Sequence, residues 1–509
     1  MHLNINNFPE REKQMKKAKT KITVIILATI ALTAFACSAF AETNYPSTDY
    51  GNATLITPKD NLIAKYNWLK SSDRDEIMGA LSPTNRRTLI LAPGRYVVDS
   101  TGLVLDTSYV DITTLTLSSP DSVRIYHDNP YANMRVIKQT AYDVRLSGFS
   151  VEACGESFED NYALELKCSK DYTGCKISGA TRTIRKTGIG TGGIQVEDVV
   201  CIPSGNNRGC YPIIEITDSD NIVVSGKLVS ENNASLGIVS MHSCYRYLKF
   251  YSSYSIAVYG TSHFGGCWEN CVSNWSSWIS AANKMQYVKM YNCEGKLVCF
   301  GGETPGCYLD GFLFGCKGEE QSFGGCSNRG GDVNAELWFC EAGDGSYALG
   351  RTFSGKAYYC KGGAHCFAGF SGTKPYYYGT FSGYAEGCTA TGNSFGGGNA
   401  NCVNSGTLVN CRVTGMDDAM YCTGAKIRNS FIKTDGTNKH AIVLNDNNTE
   451  IHNSTLIANG SGNSIYAEDY KSVLALYCSM NADKSSNVIN AVGDGTLEAG
   501  FCIISANIK

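Results

Sequence analysis

From residue 271 onward, small, aromatic and glycine positions recur together at intervals of 19–28 residues rather than at the period of a helix or a single strand. The clearest register runs Cys271, Cys293, Cys316, Cys340, Cys360, Cys388, Cys411, and continues through Ser430, Ser454, Cys478 and Cys502. Seven places after the cysteine comes an aromatic residue: Trp278, Phe300, Phe323, Tyr347, Phe367, Phe395. Glycine recurs five places before it, at Gly311, Gly355, Gly383 and Gly406. Asn stands directly before it at Asn270, Asn292, Asn410, Asn429 and Asn453. A fixed period of this length is the mark of a solenoid. About 20–28 residues suffice for one coil of three short strands, and coils stack as parallel strands with a rise of ~4.8 Å.

The registered positions then form ladders. Cys/Ser and the aromatic read as inward columns, and Asn fits a tight left-handed corner. The column after the cysteine is Val272, Glu294, Lys317, Glu341, Lys361, Thr389, Arg412. Strand alternation points it outward, so its alternating signs read as a structural charge ladder. Upstream, Leu62, Ile63, Tyr66, Leu69, Ile77 and Leu81 have helix-like spacing and predict an amphipathic cap over the open end of the stack. Thr88–Val98 begins the strands, and Val110–Thr113, Val144–Phe149 and Ile222–Gly226 read as further coils. The expected fold is all-β: a right-handed parallel β-helix with a short N-terminal α-helical cap. At ~4.8 Å per coil, about 18 coils make a rod of roughly 85 Å.

The N-terminus adds a compartment. Lys16, Lys17, Lys19 and Lys21 precede an uncharged apolar run, Ile22–Ala36, and Ala39-Phe40-Ala41 supplies small residues for cleavage before Glu42. Residues 1–41 therefore read as a signal peptide, 42–87 as an N-terminal segment with the capping helix, and 88–509 as the β-helix. An uncleaved anchor and lipidation at Cys37 are the alternatives, and Met15 is an alternative start. No later segment approaches the ~20 apolar residues of a membrane span. The expected location is secreted or extracytoplasmic.

Charge changes little. The precursor has 44 basic and 47 acidic residues. Removing the six basic and two acidic residues of 1–41 leaves 38 and 45, or −7. The absence of a basic stripe argues against nucleic acid. The cysteine column reads as buried thiols acting as small hydrophobes, with disulfides as the alternative. Cys168, Cys175, Cys201 and Cys210 lie off the column and are better disulfide candidates, and Cys307 and Cys402 can pair locally. No repeated C-x-x-C pair points to zinc, and no metal site is assigned.

The opening Leu91-Ala92-Pro93-Gly94-Arg95-Tyr96, followed by rungs of the form Asn-Cys-x6-aromatic-x-Gly, resembles the pectin-lyase-like right-handed parallel β-helix superfamily. The resemblance spans residues 88–509. It implies saccharide bound along an outer face, in a groove walled by corner loops. A lyase of this kind would use Ca²⁺ held by acidic residues and an Arg or Lys base; a hydrolase would use clustered Asp residues.

Two breaks in the repeat carry the candidate chemistry. In the Cys411 coil the aromatic position is Asp418, preceded by Asp417. The pair resembles the Asp-Asp motif of polygalacturonase-type hydrolases, although the Asn-Thr-Asp, Gly-His-Gly and Arg-Ile-Lys signatures are missing. An Asp-Asp turn can equally bind Ca²⁺ or cap a corner. The longest coil, Cys360 to Cys388, carries Tyr376, Tyr377 and Tyr378, whose rings suit sugar stacking. Asp344, Arg351 and His365 lie in neighbouring coils and are further candidate groove residues. Two functions follow. One is a secreted lyase or glycoside hydrolase acting on extracellular polysaccharide or cell-surface glycan. The other is a non-catalytic adhesin or surface-structural solenoid. The sequence leaves the oligomeric state open.

Overall fold

The computed structural model describes residues 52–127, 135–153, 161–253, 256–301, 307–324, 331–349, 351–369, 379–396, 402–416, 418–444, 448–467, 473–483, 488–491, 497–500 and 502–507. The expected signal segment, Tyr376–Tyr378 and Asp417 lie outside these residues.

Parallel strand pairing dominates. One sheet stacks 20 short strands, from Ala53–Ile56 to Leu497–Gly500. A second face is made of two seven-stranded sheets, joined through bridges from Glu341 to Lys317 and Lys361. The chain is a parallel β-helix of about 14 turns, roughly 65–70 Å long at ~4.8 Å per turn. The shortfall from 18 coils has a specific cause. Between Tyr162–Leu166 and Cys244–Arg246 the chain leaves the stack. There it builds a closed six-stranded antiparallel barrel from Lys170–Ser178, Thr183–Arg185, Val199–Ile202, Gly209–Ile216, Asn221–Val224 and Glu231–Val239. Ile222–Gly226, expected as a coil, contributes to this barrel. The barrel has its own core, including Ile177, Ile184, Val200, Ile213 and Ile238.

The predicted columns lie where their chemistry requires. The cysteines from Cys271 to Cys411 are buried, and every described cysteine is a free thiol. Each spends its S–H on a corner carbonyl two residues back: Cys293 to Tyr291, Cys340 to Trp338, Cys360 to Tyr358, Cys411 to Val409, at 3.4–3.6 Å. Ser430 and Ser454 make the same bond to Arg428 and His452 at 2.9 Å. That shared donor explains why Ser and Cys interchange in the column. The aromatic column is fully buried and stacked ring on ring, with centroids 4.4–5.0 Å apart from Trp278 to Phe395. The charge ladder pairs in register, and Lys361 reaches Glu341 at 2.7 Å. At such exposure the pair is worth at most ~1 kcal/mol.

Two short helices lie between the first stacked strand, Ala53–Ile56, and the next, Arg87–Leu91. Helix α1 (Leu62–Leu69) starts on Asn61, whose side chain accepts the Ala64 N–H at 2.9 Å. Leu62, Tyr66 and Leu69 enter the solenoid core. Ile77, in α2 (Ser72–Met78), points to solvent instead. Arg87, buried on the strand that follows them, holds both helices: it donates to the Leu69 carbonyl at 2.6 Å and to Asp75 at 2.5 Å.

Candidate functional site

The outer face of the long sheet carries side chains the core does not use. Strands Met285–Tyr291, Tyr308–Phe314, Glu336–Trp338, Lys356–Tyr358 and Tyr384–Glu386 lie in parallel register. Alternate residues enter the core: Val288 and Met290, Leu309 and Leu313, Leu337, Ala357, Ala385. The remaining ones face out. Two places before the cysteine this face shows Tyr291, Phe314, Trp338 and Tyr358 in four consecutive coils. Four places before it stand Lys289, Phe312, Glu336, Lys356 and Tyr384. Trp338 and Tyr358 stack at 4.1 Å, and Tyr384 lies 5.7 Å from Tyr358.

The corner before the column position is left-handed, and most described coils place Asn or Gly there: φ is 49–55° at Asn270, Asn292, Asn410, Asn429 and Asn453 and 63–64° at Gly315 and Gly387, with Tyr477 (φ 56°) before Cys478. In the Cys340 and Cys360 coils the same left-handed position holds Phe339 (φ 52°) and Tyr359 (φ 55°). A bulky L-residue there costs about 1–2 kcal/mol. The inward rings Trp278 to Phe395 are also left-handed. For them, burial (~1.5–3 kcal/mol) and stacking (~0.5–1.5 kcal/mol) outweigh the cost. Phe339 and Tyr359 are 42% and 48% exposed, so burial offsets far less. They stack on each other at 5.4 Å, and Phe339 packs edge-on to Phe314 at 5.6 Å. Tyr477, 61% exposed, holds the same conformation outside the track.

Beside the aromatic track lies a shallow pocket of about 290 Å³ lined by Asp310, Gly311, Asn334, Glu336, Ser354, Gly355 and Lys356. Its glycines are obligatory. A Cβ on Gly311 (φ 108°) would sit 2.1 Å from the Val288 carbonyl oxygen, and one on Gly355 2.2 Å from that of Ala335. Asp310 accepts from the Gly311 N–H at 2.7 Å and from Asn334 at 3.1 Å. Burial nonetheless pushes its carboxyl up to about 6, against those two hydrogen bonds. Glu336 accepts from Trp338 Nε1 at 2.8 Å and faces Lys356 Nζ at 4.0 Å. The barrel meets the long sheet nearby. Arg208 bonds Asp332 at 2.8 Å and lies over the Tyr308 ring at 5.2 Å.

No family model and no curated protein matches this chain. Among solved structures it is similar to the tailspike protein gp49 from Pseudomonas phage LKA1, with 11% identity, 88% of this chain and 81% of that one covered, and a TM-score of 0.37. The A-module of the Azotobacter vinelandii mannuronan C-5 epimerase AlgE6 matches at 9% identity, 86% and 96% coverage and a TM-score of 0.27. Bacteriophage CBA120 tailspike protein 3 matches at 8% identity, 84% and 57% coverage and a TM-score of 0.31. At these scores the architecture rests on the chain's own strand pairing.

The residues expected from sequence lie elsewhere on the coils. Asp418 is half-buried; it accepts from the His440 N–H at 2.6 Å and from Tyr421 Oη at 3.1 Å, with Lys439 at 3.7 Å. Those bonds tie one coil corner to the next. Asp344 takes the Ala364 N–H at 2.7 Å, which brings it to the corner where His365 begins the next turn. Arg351 leads into Thr352–Phe353 and accepts the Thr380 N–H at 2.9 Å through its carbonyl. The structure thus ties Asp344 to Ala364, the chain neighbour of His365, and sets Arg351 beside the strand Thr352–Phe353 of the long sheet. Asp310, Glu336 and the outward aromatics were missed. Only the aromatics carried a signal: aligned on the cysteines, Tyr291, Phe314, Trp338 and Tyr358 form their own column.

Proposed function

We propose that this outer face binds extracellular polysaccharide and that Asp310 and Glu336 cleave its glycosidic linkage. The supporting observation is one surface that joins a four-coil aromatic track to a polar pocket holding a carboxyl raised to about 6. Rings in register along the axis suit a chain of sugar rings, which present apolar faces and hydroxyl edges. Asp310 holds its proton at mildly acidic pH and protonates the leaving oxygen. Glu336 acts as base or nucleophile. The two lie on adjacent coils, two residues out of register, so their backbones are about 8 Å apart at ~4.8 Å per coil and ~3.3 Å per residue. Carboxyls on such a frame can flank one linkage, for which glycosidases use ~5–9.5 Å. Among the described residues no three His, Cys, Asp or Glu side chains converge as a cation site, and this acid–base reading uses none. The expected export signal supplies the compartment. No helix of the described residues is long and apolar enough to cross a membrane.

The test is a screen of protein beginning at Glu42 on neutral and uronic polysaccharides, with and without Ca²⁺. Reducing ends and the absorbance of unsaturated uronate are both read. The expected result is reducing ends without that absorbance, abolished by Asp310→Asn and by Glu336→Gln while binding persists. Asp418→Asn should retain cleavage. Cleavage that survives Asp310→Asn and stops with Asp418→Asn overturns the assignment in favour of the Asp417–Asp418 pair. Binding with no cleavage on any substrate returns the chain to a binding solenoid.

A further inference from the structure

The barrel hairpin of Val199–Ile202 and Gly209–Ile216 carries two thiols that the groove chemistry does not use. Cys201 and Cys210 are directly opposed in its antiparallel register. Their sulfurs lie 3.6 Å apart, and Cys210 donates to Cys201. The column thiols also reach main-chain carbonyls two residues back, whereas Cys210 Sγ reaches Cys201 Sγ. Opposed residues in an antiparallel pair have Cα atoms ~4.5–5.5 Å apart, inside the ~4.4–6.8 Å range of disulfides. Access differs as well. Cys201 is fully buried, whereas Cys210 is partly exposed. Cys201 packs with Val199, Val239 and Met241 against Met285 of the long sheet, and Cys210, Tyr287 and Tyr308 pack onto the same cluster. The turn between the two cysteines ends on Arg208, which reaches Asp332 and Tyr308.

We infer that Cys201 and Cys210 form a disulfide site, and that oxidation fixes this hairpin where it packs on the long sheet beside Tyr287 and Tyr308. The oxidant is a low-molecular-weight disulfide such as oxidised glutathione. The Cys210 thiolate attacks one glutathione sulfur, the glutathione S–S bond breaks, and one glutathione leaves as its thiolate. The Cys201 thiolate then attacks the Cys210 sulfur, the mixed disulfide breaks, and the second glutathione leaves. Two protein thiols are oxidised, two glutathione thiols form, and the two cysteine protons end on them. Burial and the neighbouring Cys201 thiol push the Cys210 thiol well up, so the reaction accelerates as pH rises.

The whole protein from Glu42 is incubated with oxidised glutathione at about pH 8, near the ordinary thiol range. It is then alkylated in denaturant and digested without reduction. Mass spectrometry should find the Cys201 and Cys210 peptides joined and two hydrogens lighter, separating on reduction, with the column cysteines alkylated. Amide exchange in residues 204–208 should slow several-fold in the oxidised protein. Cys201→Ala should leave glutathione trapped on Cys210. The inference is overturned if Cys201 remains alkylatable while Cys210 carries glutathione in the parent protein, or if Cys210 joins another cysteine, or if Cys201→Ala traps no adduct. The readout needs no polysaccharide, so its outcome is independent of the groove's activity.

Discussion

Among the described residues, the one before a column cysteine sits at a left-handed corner, and its identity sets what the coil presents to solvent. Asn relaxes the corner, because its short polar side chain tolerates that conformation. Phe339→Asn and Tyr359→Asn should therefore hold or raise stability, by up to about 1 kcal/mol each, while weakening glycan binding. Denaturant midpoints together with a binding titration check both halves; a loss of stability with unchanged binding would mean the rings serve packing alone. Asp310 gives a second prediction. Its carboxyl lies at about 6, against an ordinary 3.8. Between those values the folded protein keeps a proton that the unfolded chain releases. Stability therefore falls as pH rises through the window and levels off above it. The full cost is about 3 kcal/mol, at ~1.4 kcal/mol per unit. Asp310→Asn removes it, so the variant's Tm relative to the parent should be higher at pH 8 than at pH 4. An equal difference at both values contradicts the raised carboxyl. Little of this was readable in advance. Asp310 is one acid among many in the sequence; its neighbours include Tyr287, Tyr308 and Cys210 of a barrel hairpin more than 90 residues upstream.

At the scale of elements, the ladders were the legible part. A period that repeats ring, thiol and corner needs no tertiary information, because each coil meets the same neighbour. Removing one ring from the inward column should then cost what a large core truncation costs. Phe367→Ala should destabilise by about 3–5 kcal/mol, since Phe367 is fully buried between Tyr347 and Phe395. Urea titration measures it; a cost below ~1 kcal/mol would mean the stack closes over the gap. The barrel was not legible. Ile222-Val223-Val224 alternates as a coil strand does, and a strand carries no local mark of whether its partner runs parallel or antiparallel. The distinction lies in the pairing, Asn221–Val224 against Thr183–Arg185 and Gly209–Ile216. The outward aromatic track was present in the same alignment as the inward one. It was overlooked because the exposed face of a strand carries no packing rule to predict it.

At the scale of the whole molecule, a stack in which each coil touches only its neighbours unfolds as a series of linked units. The barrel has a core separate from that of the coils. Denaturation followed by tryptophan emission, which reports the buried Trp268 and Trp278, and by far-ultraviolet dichroism should therefore give two non-coincident transitions. Coincident curves would mean that barrel and coils melt as one. The aromatic track is also a whole-molecule feature, because it exists only where four coils stack in register. The most direct measurement of the central claim is a binding titration of a polysaccharide ligand against the double variant Trp338→Ala/Tyr358→Ala. Trp275→Ala, an exposed ring outside the track, serves as control. Loss of affinity on the order of 100-fold for the double variant (about 2.8 kcal/mol), with the control unchanged, is the predicted result. Equal affinity for both variants and the parent would contradict a binding face on this sheet.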